Sequence, residues 1–207
     1  MTPKADTDYA RGVPVKLAVK VPSNNAEPDI MKIRFAVALL AFWLAAGVAP
    51  PSARSEMLVQ VCFSPAGRCA SHLLRALDDA DREILVAVYA FTSANLARAL
   101  IRAQERGVDV RVILDADFDN ESSNSVADLL ALNRVPVAKV SGATRLHQHA
   151  GLMHQKFAVV DRTTVASGSY NWTHSADARN YENLLLFRNA RELASEFRDE
   201  FMRLWGE

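Results

Sequence analysis

The sequence predicts an α/β domain: a mixed β-sheet flanked by helices on both faces. Three observations carry this reading. Strand-length apolar runs alternate with segments of helical period, the pattern of a sheet covered by helices. The run Glu83 to Phe91, EILVAVYAF, is almost unbroken in its apolar character, as expected of a strand buried on both faces. Two short β-branched runs, Phe157 to Val160 and Thr163 to Ala166, stand on either side of the turn dipeptide Asp161-Arg162. Strands so close in sequence pair antiparallel, so the sheet is mixed rather than purely parallel.

The elements follow in order. Met57 to Phe63 reads as a strand, and Ser71 to Ala80 as a helix with Leu73, Leu74 and Leu77 on one face. After the Glu83 to Phe91 strand, Ser93 is the expected N-cap of a helix whose apolar positions are Leu96, Ala97, Leu100 and Ile101. Gly107 ends that helix, and Val108 to Leu114 forms the next strand. Asp115 to Asn120 reads as an exposed acidic loop, a weak candidate for binding a cation. A helix near Ser125 to Leu132, a short strand at Val135 to Val140 and a polar loop to Ala150 come next. Beyond the pair of strands around Asp161, Tyr181 to Phe187 is a strand. Arg191 to Trp205 is a helix with Leu193, Phe197, Phe201 and Leu204 on one side.

Of the 207 residues, 50% are hydrophobic and 23% charged, enough for one globular domain with a substantial core and some additional sequence. Residues 1–30 are polar and contain proline, with no helix or strand period; they read as disordered, or as an upstream segment ahead of a true start at Met31. Residues 31–55 have the pattern of a secretory signal peptide: a basic start (Met31-Lys32-Ile33-Arg34), an apolar run Phe35 to Ala49, and small residues around Ala53 and Ser55. The apolar run is short for a membrane span, which needs about 20 residues, and an uncleaved signal anchor is the alternative. The mature domain is then 56–207, exported to the periplasm or secreted and not stably bound to a membrane after cleavage. In an oxidising compartment Cys62 and Cys69, separated by a segment with Pro65 and Gly67, form a candidate disulfide; two unpaired thiols are the alternative.

The formal net charge is zero, so a surface for polyanions has to be local. The polar residues worth following lie between Gly151 and Thr173: His154-x-Lys156, then Asp161, then Gly168-Ser169-x-Asn171. With a side-chain period of two, His154 and Lys156 are expected on one face of a strand, with Ser169 and Asn171 arriving beside it. An imidazole, an ammonium, a hydroxyl and a carboxamide on one spot suit a phosphate. Neutral imidazole is a nucleophile at physiological pH, while a cation and hydrogen-bond donors stabilise the charge that develops on phosphorus oxygens. His147, His149 and His154 form a competing metal-ligand pattern, weaker because His154 already belongs to the first motif. Tyr170 and Trp172 are candidates either for stacking on bases or for packing beneath the site, and Arg145, Arg162 and Arg179 for contacting neighbouring phosphates.

The spacing His154-x-Lys156-x4-Asp161-x6-Gly168-Ser169-x-Asn171 resembles the HKD signature of the phospholipase D superfamily. The stretch from Met57 to Trp205 is similar to the small single-motif bacterial endonucleases of the Nuc type. Tyr89-Ala90-Phe91-Thr92, Arg106-Gly107-Val108-Asp109-Val110 and Asn180-Tyr181-Glu182-Asn183 support the likeness. The resemblance implies that His154 is the nucleophile and forms a phosphohistidine, that Lys156 and Asn171 bind phosphate oxygens, and that Ser169 lines the pocket. It further implies that the Glu182 carboxylate orients the histidine, that Asp161 is chiefly structural within the catalytic signature, and that neither metal nor other cofactor is required. The chain has one motif and no internal repeat. The resemblance therefore implies a homodimer in which the second copy's His154 protonates the leaving group. The expected activity is non-specific endonucleolytic cleavage of DNA, with RNA left open as a second substrate. The alternatives are a phospholipase D acting on phospholipid diesters and a non-catalytic nucleic-acid-binding module.

Overall fold

The computed structural model describes residues 56–142 and 151–206. The signal-peptide segment, Arg145, His147 and His149 lie outside these residues. Among the described residues the chain forms one seven-stranded sheet in the order β1-β7-β6-β5-β2-β3-β4. The strands are β1 (Leu58–Ser64), β2 (Glu83–Val88), β3 (Asp109–Asp115), β4 (Val137–Val140), β5 (Lys156–Val160), β6 (Thr164–Gly168) and β7 (Glu182–Arg188). The β2–β3 and β3–β4 pairs are parallel; β2–β5, β5–β6, β6–β7 and β7–β1 are antiparallel. The sheet is mixed, as the strand pair around Asp161 predicts.

All of β2 is buried, and its side chains alternate between two cores. Ile84, Val86 and Val88 join Leu73 and Leu77 of α1 (Cys69–Asp78), Leu96 and Leu100 of α2 (Ala94–Glu105) and Leu130 of α4 (Ala127–Leu132). Leu85 and Ala87 face the other way, against Ala194, Phe201 and Leu204 of α6 (Arg191–Trp205). An apolar run without alternation in sequence is thus a period-two strand with helices on both sides. The Ser93 hydroxyl caps α2 by accepting from the Leu96 amide, and Gly107 takes a positive φ of 90° just beyond the helix.

Two expectations change. Asp115 to Asn120 is not an exposed loop: Ala116–Glu121 is a short helix, α3, whose N-cap is Asp115, and Asp115 and Asp119 are both buried. An aspartate whose carboxylate accepts a backbone N–H of the next turn starts a helix, and the acidic run concealed that signal. The short helix α5 (His174–Ala178), capped by the Thr173 hydroxyl, was not expected at all.

Cys62 and Cys69 form a disulfide, with Cα atoms 5.7 Å apart, tying the end of β1 to the start of α1. Gly67 makes this closure possible: a Cβ there would stand 2.4 Å from the Phe63 carbonyl oxygen and 2.6 Å from the Cys62 sulfur. Among the described residues no helix is long and apolar enough to cross a membrane.

Candidate active site

The antiparallel pairings bring the C-terminal ends of β2 and β6 to the same edge of the sheet as the N-terminal ends of β5 and β7. Val88 pairs with Lys156, and Gly168 pairs with Leu184. The cleft at this edge, of about 530 Å³, is lined by His154, Lys156, Gly168, Ser169, Asn171 and Glu182. Residues up to 28 positions apart in sequence therefore share one surface.

His154 lies two residues before β5 begins, rather than within the strand, and its side chain is exposed. The Tyr89 amide donates to the Gln155 carbonyl at 2.8 Å, which continues the β2–β5 ladder past Lys156. The imidazole rests against the Tyr89 ring, with centroids 4.7 Å apart and planes inclined at 54°. Lys156 is half-buried; its Nζ donates to the His154 carbonyl oxygen at 2.8 Å and stands 5.1 Å from the centre of the same Tyr89 ring. Burial holds the Lys156 ammonium below its ordinary pKa, opposed by the charges of Glu182 and Asp115.

Gly168 allows the next segment to reach β7. It has φ 151°, and a Cβ there would meet the Asn183 carbonyl oxygen at 2.3 Å. Ser169 then makes a two-sided contact: its amide donates to the Asn183 carbonyl at 3.1 Å, and its hydroxyl accepts from the Asn183 amide at 3.1 Å. The same hydroxyl donates to Glu182 Oε2 at 2.5 Å, while Asn180 Nδ2 donates to Glu182 Oε1 at 3.1 Å. Asn171 Oδ1 is buried with no hydrogen-bond partner. Half a turn of that carboxamide exchanges its acceptor for its NH₂ donor, the group that an oxyanion in the cleft can accept from.

Tyr170 and Trp172 point away from this surface. Both are buried: Trp172 packs edge-on to Phe91 with centroids 4.9 Å apart, and the Tyr170 hydroxyl donates to Asp177 at 2.9 Å. They support the site from beneath and offer no stacking platform. Asp161 is at the opposite end of β5 from Lys156, in the turn to β6, where its carboxylate accepts from the amides of Asp81, Arg82 and Glu83 at 2.7 to 3.0 Å. It is not among the lining residues, so the structure separates it from the other residues of its motif. Arg162 shares that remote turn, paired with Glu83 at 3.2 Å.

Two residues not expected at this site reach it from elsewhere. Tyr89, read only as part of a strand end, touches both His154 and Lys156. Asp115 reaches the histidine segment through the Met153 amide, which donates to its Oδ2 at 2.8 Å. The alternation of β2 beyond Val88 was the available signal for the first. The second spans 38 residues and had no local signal.

A family model described as "Cardiolipin synthase, PLD-like domain" matches residues 73–205. The chain belongs to the phospholipase D-like family. The phospholipase D-like domain is 39% identical over 137 residues to the mitochondrial cardiolipin hydrolase of Xenopus tropicalis, a match covering 66% of this chain and 61% of that relative. It therefore spans less than two thirds of that relative's length. It is 34% identical over 146 residues to the phospholipase D of Rickettsia felis, covering 69% of this chain and 68% of that one. Among solved structures it resembles Nuc from Salmonella typhimurium, described as a phospholipase D family member, at 31% identity and a TM-score of 0.66, covering 73% of this chain and 95% of Nuc. It also resembles NucT from Helicobacter pylori, at 25% identity and a TM-score of 0.67, covering 73% and 97%.

Proposed function

We propose that this phospholipase D-like chain is a metal-independent phosphodiesterase, acting as a non-specific endonuclease on DNA, with cleavage of RNA left to the assay below. The observation that carries the reading is the convergence of His154, Lys156, Ser169, Asn171 and Glu182 on one open cleft. A neutral imidazole nitrogen of His154 attacks phosphorus; a P–N bond forms as the P–O bond to the leaving alkoxide breaks, and that alkoxide takes a proton from a general acid. Water then attacks phosphorus, the P–N bond breaks, and a phosphomonoester leaves while the same acid, now a base, accepts the water proton. Lys156 and Asn171 stabilise the charge on the non-bridging oxygens.

One imidazole does not serve as nucleophile and acid in the same step, and the second acid in this reading is His154 of a second copy. A strip of exposed apolar side chains supports that partner. Val59, Val61 and Phe63 project from one face of the edge strand β1, opposite Phe187, Leu185 and Asn183 of β7, and the next pair in register is Ser64 with Glu182. The strip ends beside the Ser64–Glu182 pair, whose side chains belong to the other face of the sheet, so its burial would bring a second copy against β1 near the cleft end of the sheet. Light scattering at assay concentration tests this: a fully active monomer rules the shared site out.

A second reading, hydrolysis of phospholipid diesters, is favoured by the names of the cardiolipin hydrolase and phospholipase D relatives. The discriminating experiment incubates residues 56–207 with plasmid DNA, single-stranded DNA, RNA and phosphatidylcholine vesicles, each with and without EDTA, alongside His154→Ala. The nuclease reading expects nucleic-acid cleavage in EDTA that disappears in the variant, while DNA binding largely remains. Cleavage of the vesicles alone selects the lipid reading, and binding without cleavage selects a non-catalytic module.

The export of the domain to the periplasm or medium is part of the same proposal, resting on the signal-peptide pattern of residues 31–55 and consistent with a Cys62–Cys69 bond. N-terminal sequencing of the exported protein, expected to begin near residue 56, tests it.

A further inference from the structure

Asp115 carries no role in the phosphodiesterase reading, yet it is fully buried at the end of β3 and its two oxygens serve different segments. Oδ1 accepts from the Phe118 amide at 2.8 Å and starts α3; Oδ2 accepts from the Met153 amide at 2.8 Å. Met153 is itself buried in the core beneath α6. One residue further on is His154, and one residue after that the Gln155 carbonyl accepts from the Tyr89 amide at 2.8 Å. The exposed imidazole therefore projects from a backbone pinned on both sides, and the Tyr89 ring lies against its face.

We propose that Asp115 is a positioning residue for His154, holding the nucleophile's backbone through the Met153 amide while Tyr89 holds the other side through its amide and its ring. The proposal rests on His154 being the nucleophile. A charge-assisted bond is stronger and shorter than a neutral one, so a buried carboxylate pins this amide more firmly than a neutral acceptor would. An attacking atom held this way has little freedom to leave the line of attack, and a displacement of about 1 Å costs about a hundredfold in rate.

Two variants of the full chain test the assignment. Asp115→Asn replaces one acceptor oxygen by a donor. Replacement of the Met153 peptide N–H by an ester oxygen removes the donor and leaves Asp115 to cap α3. Each is assayed for hydrolysis of bis(p-nitrophenyl) phosphate, for thermal melting, and for the NMR shift of the His154 ring protons, which lie within reach of the Tyr89 ring current. The expected result is a kcat lower by about ten- to a hundredfold with KM within about threefold, and ring-proton shifts displaced toward those of free histidine. A folded ester variant with wild-type kcat and wild-type His154 shifts overturns the proposal. If Asp115→Asn does not fold, the ester variant decides alone. If the wild type hydrolyses no phosphodiester, the phosphodiesterase reading fails separately; the His154 shifts then decide the clamp, which falls if they are unchanged in the ester variant.

Discussion

The Ser169 hydroxyl donates to the Glu182 carboxylate at 2.5 Å and at the same time accepts from the Asn183 amide, so one oxygen joins the motif segment to β7. Ser169→Ala strands the Asn183 N–H and removes one of the carboxylate's partners. The expected loss is about 1–3 kcal/mol of stability, the cost of leaving a half-buried polar group unpaired, with reduced activity because Glu182 loses its alignment. Ser169→Thr, which keeps the hydroxyl, is expected to recover part of both. Thermal melting and diester hydrolysis measured on the two variants check this; equal melts for Ala and wild type would mean the contact has no structural weight.

A pH dependence of catalysis is expected from Lys156, beyond the alkaline fall that loss of the general acid's proton imposes. Its pKa is depressed chiefly by burial, so the ammonium deprotonates below the 10.5 of an ordinary lysine, and its limb of kcat/KM falls earlier than a free lysine would dictate. Glu182→Gln removes a charge that favours the ammonium and is expected to move that limb to still lower pH. For stability the sign is opposite: the folded state binds fewer protons than the unfolded state between the depressed value and 10.5, so the Lys156 contribution rises with pH across that window. Burial and the hydrogen bond to Asp177 push the Tyr170 phenol well above its ordinary range, so it does not titrate there. Rate–pH profiles of wild type and Glu182→Gln check the limb; an unmoved limb would remove Lys156 as its source.

Asp161 provides a contrast within the same motif. It accepts three amides at the start of β2 and adopts φ 50°, a conformation that aspartate tolerates better than most residues. Asp161→Ala is expected to cost about 2 kcal/mol, seen as a lower denaturant midpoint, while the folded fraction keeps a kcat near that of the wild type. A large fall in kcat at unchanged stability would place Asp161 in the chemistry instead.

Reduction of the Cys62–Cys69 bond releases the junction between β1 and α1. Closing a short loop of this kind is worth about 2–3 kcal/mol, mostly by restricting the unfolded chain. Cys62→Ala/Cys69→Ala is expected to melt lower than wild type under oxidising conditions, and the two should converge in reductant. A difference that persists in reductant would trace the effect to packing of the sulfur atoms.

Much of this molecule was legible in its sequence because the relevant signals are local. The unbroken run from Glu83 into β2, the Ser93 cap, the helical spacing of Leu193, Phe197, Phe201 and Leu204, and the turn at Asp161-Arg162 each depend on neighbours within a few residues. The motif from His154 to Asn171 was equally plain, since a two-strand hairpin carries its own register. The placement of Glu182 beside Ser169, the packing of Tyr170 and Trp172 beneath the site and the separation of Asp161 from the cleft depend on which strands pair. So do the Asp115 clamp and the contact of Tyr89 with His154. The order β1-β7-β6-β5-β2-β3-β4 is chosen by burial of two opposite faces over the whole domain. An acidic run such as Asp115 to Asp119 looks solvated until that packing encloses it. The sequence by itself determined the strands, the helices α1, α2, α4 and α6, and a set of residues whose chemistry suits phosphorus; only the tertiary structure decided the helices α3 and α5 and which residues meet, because hydrogen bonds between residues 38 positions apart exist only once the sheet has formed.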